Sequence, residues 1–227
     1  MQRTFLGIEI GGTKLQLVAG NADARITQRR RFTVDKARGG AGIREQIAGA
    51  LPELMDVAQP AAIGVGFGGP VDSATGQICC SHQIEGWSEF PLGDWLRGLT
   101  GLPATVDNDA NTAALGEAKC GAGKDCNPVF YVTLGSGVGG GLVVDGRIYH
   151  GAKPGEAEIG HVRLDKSGVI VEQRCAGWAV DRKIREACKR EPWSPLSQLT
   201  ADADHGEARA LAPALAQGDA LAQRILD

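Results

Sequence analysis

The sequence lacks the features that define several large classes of protein. Its 227 residues contain no apolar run long enough to span a membrane, and the first residues, MQRTFLGIEIGG, lack the basic start, apolar middle and small-residue cleavage site of a signal peptide. The 24 basic and 27 acidic residues leave a net charge of -3, and no basic block stands out beyond the three arginines at 29–31. We therefore expect a cytoplasmic protein that binds neither nucleic acid through a basic face nor a membrane.

The cysteines lack the spacing of a disulfide framework or a metal site. None of the six forms a CxxC pair, and two of them are adjacent in sequence. Reduced thiols are the expected state. The six are Cys79, Cys80, Cys120, Cys126, Cys175 and Cys188.

Glycine, by contrast, is plentiful and clustered. The GGTK segment at 11–14 lies between two apolar stretches typical of strands and predicts a hairpin with a glycine-rich tip. Backbone N–H groups in such a turn can approach phosphate oxygens, the Thr13 hydroxyl can donate to them, and Lys14 adds positive charge. The segment is neither a Walker loop nor a Rossmann fingerprint, so a tight hairpin without a ligand remains an alternative.

A second cluster places five glycines among residues 135–141, after the apolar stretch 129–134. Ordering so many glycines costs several kcal/mol of chain entropy, which favours ligand binding over a structural bend. The pattern of strand, glycine turn and strand thus occurs twice, and Asp145-Gly146 makes a further hairpin turn. This duplication predicts a two-lobed architecture in which the two glycine turns clamp phosphate groups across a cleft.

The segment TVDNDANTAA, 105–114, marks a change from an apolar strand near 102–106 to a helix over 110–119. Asn108 is then the N-cap, and Asp109 lies in the first helical turn. The helix dipole and free backbone N–H groups favour an ionised carboxylate there, as a general base for a substrate hydroxyl requires. The alternative, that both residues only cap the helix, remains open from this segment alone.

The remaining pattern predicts an α/β protein with mixed sheets flanked by helices. Strands near Thr4–Ile10, 15–19, 25–34 and 61–67 are interrupted by a glycine break at 39–40 and a helix over 43–57. Further along, Glu158 and His161 are three residues apart with glycines around them. With no cysteine or second histidine nearby, they indicate hydrogen bonding to a sugar-like ligand or plain solvent exposure rather than a metal site.

Five motifs, in order and with fitting spacing, resemble those of the ROK family of sugar kinases in the actin-like ATPase superfamily. The resemblance implies a two-lobed, ribonuclease H-like fold with a small lobe at 1–107 and a large lobe at 108–227. It also implies a homodimer, and a glycolytic enzyme that uses ATP and Mg²⁺ to phosphorylate a hexose, with conversion of glucose to glucose 6-phosphate as the leading expectation. The motifs are EIGGTK (9–14), GFGGPVD (66–72), DNDANTAALGE (107–117), TLGSGVGGGLVVDG (133–146) and GEAEIGH (155–161).

The resemblance implies a role for each matching residue. Asp109 matches the general base that takes the proton of the sugar hydroxyl. The positions that match sugar-binding residues are Gly68, Gly69, Asn108, Asp109, Glu158, His161 and Glu172. The positions that match the two phosphate-binding loops are Gly11, Gly12, Thr13, Lys14, Gly135, Ser136, Gly137 and Gly139.

The chain also departs from the family pattern. Glu9 stands where the family has an aspartate that helps to position Mg²⁺, so an indirect metal contact is expected from a longer side chain. The family's zinc-binding cysteines are absent after His161, so no zinc site is expected, and the adenosine-binding segment is expected beyond residue 227. Alternatives that stay open are polyphosphate as donor, another hexose (mannose, fructose or an N-acetylhexosamine), and a non-catalytic sugar-binding or regulatory protein. A start directly at the first strand, without a helix-turn-helix domain, argues against a repressor.

Overall fold

The computed structural model of the chain describes residues 3–81, 84–151 and 157–227 as a mixed α/β protein, as the sequence predicts. The strands are β1 (Thr4–Ile10), β2 (Lys14–Asn21), β3 (Ile26–Thr33), β4 (Ile63–Phe67), β5 (Val71–Asp72), β6 (Gln77–Ile78), β7 (Ala104–Asn108), β8 (Val129–Leu134), β9 (Val138–Val144) and β10 (Arg147–Ile148). The helices are α1 (Gly39–Ala58), α2 (Leu92–Thr100), α3 (Asp109–Cys120), α4 (Val171–Cys175), α5 (Gly177–Arg190), α6 (Pro195–Leu199), α7 (Leu211–Ala216) and α8 (Ala220–Leu226).

The chain forms two compact units. Unit 1 comprises Met1–Tyr131 and Gly141–Glu156, and unit 2 comprises Val132–Gly140 and Ala157–Asp227. These bounds differ from the lobes expected from the family resemblance, 1–107 and 108–227, and that lobe division stays a prediction. None of the helices in the described part of the chain combines the length and the apolar composition that a membrane span needs.

Unit 1 is built on a five-stranded sheet with the order β3-β2-β1-β4-β7. The three strands β1 to β3 pair antiparallel, and β4 lies parallel to both β1 and β7. Alternate apolar side chains of β1 and β2 are buried, and their register pairs Ile10 with Leu15, so the GGTK segment forms the tip of the predicted hairpin.

The parallel strands bring their carboxyl ends to one edge of this sheet. Ile10 pairs with Phe67, and Phe67 pairs with Asn108, so three chain segments that follow these residues start side by side. Ligand sites of open α/β sheets lie at this edge. The topology therefore places the first glycine turn, the Gly68-Gly69 turn and the start of α3 next to one another.

Helix α1 packs on the sheet through buried Ile43, Ile47 and Leu54. It begins at Gly39, so the predicted break at 39–40 was wrong and the helix starts four residues earlier than expected. The reason is tertiary, because a Cβ on Gly40 would lie 2.9 Å from the carbonyl oxygen of Gly86 and 3.0 Å from the ring of Trp87. Glycine is selected there by close packing rather than by a turn.

The second glycine run also differs from the expected loop. Only residues 135–137 form the turn, and Gly139 to Gly141 belong to β9, which lies between β8 and β10 in a three-stranded sheet. A Cβ on Gly141 would lie 2.6 Å from the Cβ of Ala114 on α3, so this glycine permits close packing of strand and helix. In unit 2, buried Ile184, Leu196 and Leu221 belong to the core that joins α5, α6 and α8.

Candidate functional site

The junction of β7 and α3 has the capping geometry that the sequence predicts. The Asn108 side chain accepts hydrogen bonds from the backbone N–H groups of Ala110, at 2.8 Å, and Asn111, at 3.3 Å. These bonds satisfy two donors that the first turn of a helix otherwise leaves unpaired. Asp109 follows as the first residue of α3, so its carboxylate is held at a fixed helix end.

The Asp109 carboxylate lies among groups that act on its charge in opposite directions. Partial removal of water by the surrounding chain raises the pKa of Asp109 above its ordinary value, and the negative charge of Glu9 adds to this rise. Hydrogen bonds from the Ala110 N–H, 2.9 Å from Oδ1, and from Asn108 oppose it. The net result is a raised pKa, and the side chain remains accessible to solvent. The expectation of an ionised carboxylate stays a prediction.

The Gly68-Gly69 turn lies against this carboxylate. A Cβ on Gly68 would lie 3.5 Å from Oδ2 of Asp109 and 3.3 Å from the carbonyl oxygen of Ile10, and the Gly68 N–H donates to that same carbonyl at 2.9 Å. The Asn108 Nδ2 donates to the carbonyl oxygen of Gly69 at 3.2 Å. Four residues predicted as sugar contacts, Gly68, Gly69, Asn108 and Asp109, are thus neighbours in unit 1.

The first glycine loop is closed by its own backbone. The Gly11 N–H donates to the carbonyl oxygen of Lys14 at 3.0 Å, and the side chains of Thr13 and Lys14 are exposed. Beside the loop, Oε2 of Glu9 accepts a hydrogen bond from Nε2 of Gln16 at 3.3 Å. The glutamate side chain, which is one methylene longer than the aspartate of the family, thus has a hydrogen-bond partner on β2. The loop leaves cationic and hydroxyl groups open to an anionic ligand.

Three further residues at this junction were missed by the sequence reasoning. The Asp107 carboxylate contacts Nε2 of His150 through Oδ2, at 2.7 Å, and accepts from the Asn108 N–H and from Nδ2 of Asn111 through Oδ1, at 2.8 and 3.1 Å. The side chains of Asp107 and His150 are 15% and 34% exposed. Asp107 belongs to the DNDANTAALGE motif and could have been singled out there, whereas no local pattern marks His150.

The second glycine loop, in unit 2, is held from outside. Its turn is closed by the Gly135 N–H donating to the carbonyl oxygen of Gly137 at 2.9 Å. The Val138 N–H donates to Oε2 of Glu172 at 3.1 Å, and the Gly177 N–H at the start of α5 donates to the Gly135 carbonyl oxygen at 2.8 Å. The carboxylate expected to bind sugar therefore also supports this loop.

Two further predicted sugar contacts, Glu158 and His161, lie at the ends of a short 3₁₀ helix of unit 2, Ile159–His161. Glu158 precedes it, His161 ends it, both are exposed, and the His161 N–H donates to the Glu158 carbonyl oxygen at 3.0 Å. Gly160 between them is buried, and a Cβ there would lie 2.3 Å from the carbonyl oxygen of Val138. This segment thus packs on the strand that follows the second glycine loop. The first two residues of the GEAEIGH motif lie outside the described residues.

The described part of the chain contains no dense group of metal-binding side chains. Within 3–81, 84–151 and 157–227, no three His, Cys, Asp or Glu side chains are grouped as they would be around a bound ion. All six cysteines are free thiols. The expectation that no zinc is bound stays a prediction. Mg²⁺ in phosphoryl-transfer sites is usually held by one or two carboxylates together with substrate phosphates and water, and accessible Glu9 beside the first loop fits that donor set.

The chain is similar to a family of known proteins. The family model described as "ROK family" matches residues 5–227. The glucokinase of Halalkalibacterium halodurans is 39% identical over 171 residues, which cover 73% of this chain and 52% of that enzyme. The N-acetylmannosamine kinase of Citrobacter koseri is 33% identical over 73% of this chain and 56% of that enzyme.

Among solved structures, a ROK family glucokinase from Streptomyces griseus in complex with glucose and AMPPNP superposes with a TM-score of 0.81 at 29% identity. That match covers 98% of this chain and 74% of the other. Relative to the two curated enzymes, by contrast, the aligned part of this chain spans little more than half of their length. The fold is that of the actin-like ATPases, and the chain belongs to the ROK family.

Proposed function

We propose that the chain transfers the γ-phosphoryl group of ATP to a hexose hydroxyl, with glucose as the first candidate. The observation that carries this proposal is the Asp109 carboxylate, which is accessible, faces Gly68 and has its pKa raised by partial burial and by Glu9. A base with a pKa closer to the working pH takes a proton more effectively during transfer. The glucokinase relative and the glucokinase structure support the same reaction.

The acceptor side of the reaction is proposed for unit 1. Asn108 and the Gly68-Gly69 turn would hold the sugar, since the Asn108 amide has a second N–H besides the one that it donates to Gly69 and the turn lies next to Asp109. Asp109 would then accept the proton of the attacking hydroxyl as the new P–O bond forms. The ADP leaving group departs with the electron pair of the broken bond. Glu158, His161 and Glu172 of unit 2 are proposed as further sugar contacts.

The donor side is proposed for the two glycine loops. The Gly11–Lys14 loop offers a hydroxyl, an ammonium group and backbone donors, and the Gly135–Gly139 segment offers a narrow turn and Ser136. Phosphoryl transfer depends mainly on positioning and on neutralising charge, and these loops supply groups for both. Mg²⁺ near Glu9 would neutralise phosphate charge when bound.

The identity of the sugar has two supported candidates. Glucose is favoured by the glucokinase relative, and N-acetylmannosamine is favoured by the N-acetylmannosamine kinase relative. An assay of ADP release separates these candidates. Each sugar is tested with ATP and Mg²⁺, and the panel contains glucose, mannose, fructose, N-acetylglucosamine and N-acetylmannosamine. The panel is repeated with polyphosphate as donor, where formation of sugar phosphate is measured because this donor releases no ADP, and with Asp109→Asn protein as the control for contaminating kinases. Release of ADP that no sugar in the panel increases would contradict the proposal.

Dimerisation, expected from the family resemblance, stays a prediction. Size-exclusion chromatography with light scattering measures it, and a mass near 23.7 kDa would contradict a dimer.

A further inference from the structure

The Asp107–His150 pair connects two distant parts of unit 1 at the base of the candidate site. Asp107 lies in β7, one residue before Asn108 and two before Asp109, and His150 follows β10 at a separation of 43 residues. Oδ2 of Asp107 lies 2.7 Å from Nε2 of His150. An ionised carboxylate only accepts hydrogen bonds, so Nε2 carries the proton and donates.

The other oxygen of Asp107 reaches into the start of α3. Oδ1 accepts from the Asn108 N–H, at 2.8 Å, and from Nδ2 of Asn111, at 3.1 Å. Asn111 is buried, and its backbone N–H donates to Oδ1 of Asn108. One carboxylate therefore orients both the N-cap residue and the first turn that carries Asp109.

His150 is the donor to the second oxygen of this carboxylate. The Asp107 side chain is only 15% exposed, so water is a poor substitute for the imidazole donor, and loss of that donor leaves Oδ2 without a partner unless the carboxylate rotates to bring it to solvent. Rotation of Asp107 would move its Oδ1 away from Asn111 and would loosen the Asn108 cap. We propose that His150 is a positioning residue that sets the geometry of Asn108 and Asp109 through Asp107.

This proposal rests on the proposed function for its kinetic consequence but not for its structural one. A hydroxyl and a base that are misplaced by about 1 Å react up to about 100-fold more slowly, whereas the glycine loops that are proposed to bind ATP do not depend on this pair. The expected signature of losing His150 is therefore a fall in kcat and a rise in KM for the hexose, with KM for ATP unchanged. Loss of global stability alone would instead lower the amount of active enzyme and leave KM for both substrates unchanged.

The kinetic test compares three variants of the full chain with the wild type. His150→Leu removes the donor, and we expect kcat to fall about 10- to 100-fold with an unchanged KM for ATP. His150→Gln keeps an N–H donor and is expected to recover most of that loss. His205→Leu, at an exposed histidine of unit 2, is the matched control and should behave as the wild type. Wild-type constants in His150→Leu, or no recovery in His150→Gln, would overturn the proposal.

A second measurement does not depend on activity. Hydrogen exchange followed by mass spectrometry should show faster exchange in the peptide that contains the first turn of α3 in His150→Leu, by about tenfold, with α5 and α1 unchanged. Equal exchange in all peptides, or faster exchange everywhere with a lower melting temperature, would overturn the positioning role. If the wild type itself transfers no phosphoryl group, the proposed function fails, while this exchange result still decides whether His150 positions the turn.

Discussion

The two glycine loops of this chain resemble each other in sequence but are supported in different ways. In unit 1, the Gly11–Lys14 loop is held by backbone hydrogen bonds, from the Gly11 N–H to the Lys14 carbonyl oxygen and from the Val34 N–H to the Thr13 carbonyl oxygen, and the neighbouring carboxylate of Asp109 bonds to its own helix. In unit 2, the loop after Gly135 depends on residues far along the chain, because Glu172 accepts from Val138 and Gly177 donates to Gly135. The carboxylate near the first loop therefore does not bond to that loop, whereas the carboxylate near the second loop accepts a hydrogen bond from its backbone.

This difference indicates that the two carboxylates have different roles. A carboxylate that is not committed to loop structure can exchange a proton with a substrate, and its raised pKa suits that task. A carboxylate that accepts a hydrogen bond from the loop backbone instead fixes the conformation of the loop. Removing this carboxylate should therefore weaken the binding of ATP. Four predictions test this comparison.

The largest effect is expected at Asp109. Asp109→Asn keeps the acceptor for the Ala110 N–H but removes the base, and we expect kcat to fall by about 10²- to 10⁴-fold in an assay of ADP release. The matched control is Asp94→Asn, at an exposed aspartate of α2, which should leave kcat unchanged. Near wild-type turnover in Asp109→Asn would contradict the assignment of chemistry to this carboxylate.

A smaller effect is expected at Glu172. Glu172→Ala leaves the N–H of buried Val138 without its acceptor, and loss of a buried hydrogen bond to a charged group amounts to about 1.5–3 kcal/mol. We expect KM for ATP to rise by about 10-fold or more, while Glu172→Gln, which keeps an acceptor oxygen, changes it far less. KM for the hexose, measured in parallel, reports the proposed sugar contact. If both variants keep the wild-type KM for ATP, the loops are not supported differently.

The third prediction compares one glycine at each loop by thermal unfolding. A Cβ on Gly177 would lie 2.8 Å from the backbone oxygen of Gly135, whereas a Cβ on Gly11 would meet its nearest neighbour at 3.4 Å. Gly177→Ala should therefore lower stability by about 1–3 kcal/mol, or about 2–4 °C in Tm for each kcal/mol. Gly11→Ala should leave Tm nearly unchanged. A larger fall in Tm for Gly11→Ala than for Gly177→Ala would contradict the proposed difference between the two loops.

The smallest effect is expected at Glu9 and appears in the pH profile. The negative charge of Glu9 raises the pKa of Asp109, so Glu9→Gln lowers that pKa. Because the base must be ionised, the acid limb of the kcat/KM profile, which reports the free enzyme, should move to lower pH. Glu53→Gln, at an exposed glutamate of α1, is the control and should leave the limb in place. A shift of the Glu9→Gln limb toward higher pH would contradict the proposed interaction.

Local patterns were enough to predict much of the fold. Alternating apolar residues predicted β1 and β2 with the GGTK tip between them, and the capping chemistry of asparagine predicted the start of α3 at Asn108. These features depend on neighbours within a few residues. They could be derived because backbone geometry and hydrogen bonding at that range follow from residue type.

What could not be predicted depends on contacts between distant segments. Gly40 lies in the first turn of α1 rather than breaking a helix, because it packs on Gly86 and Trp87, and nothing near Gly40 in sequence indicates this. The rise in the Asp109 pKa could not be predicted because it comes from partial burial by other segments and from the charge of Glu9, a residue 100 positions away. His150 was missed because its partner, Asp107, lies 43 residues away.

The central claim is that Asp109 serves the chemical step rather than sugar binding. Calorimetric titration of the hexose into Asp109→Asn protein, beside the wild type and in the absence of nucleotide, tests this most directly. We expect that the variant, with turnover reduced by about 10²-fold or more, binds the hexose with a Kd within about tenfold of the wild type. Loss of hexose binding in a folded variant would show that the carboxylate is a binding group, and the claim would be wrong.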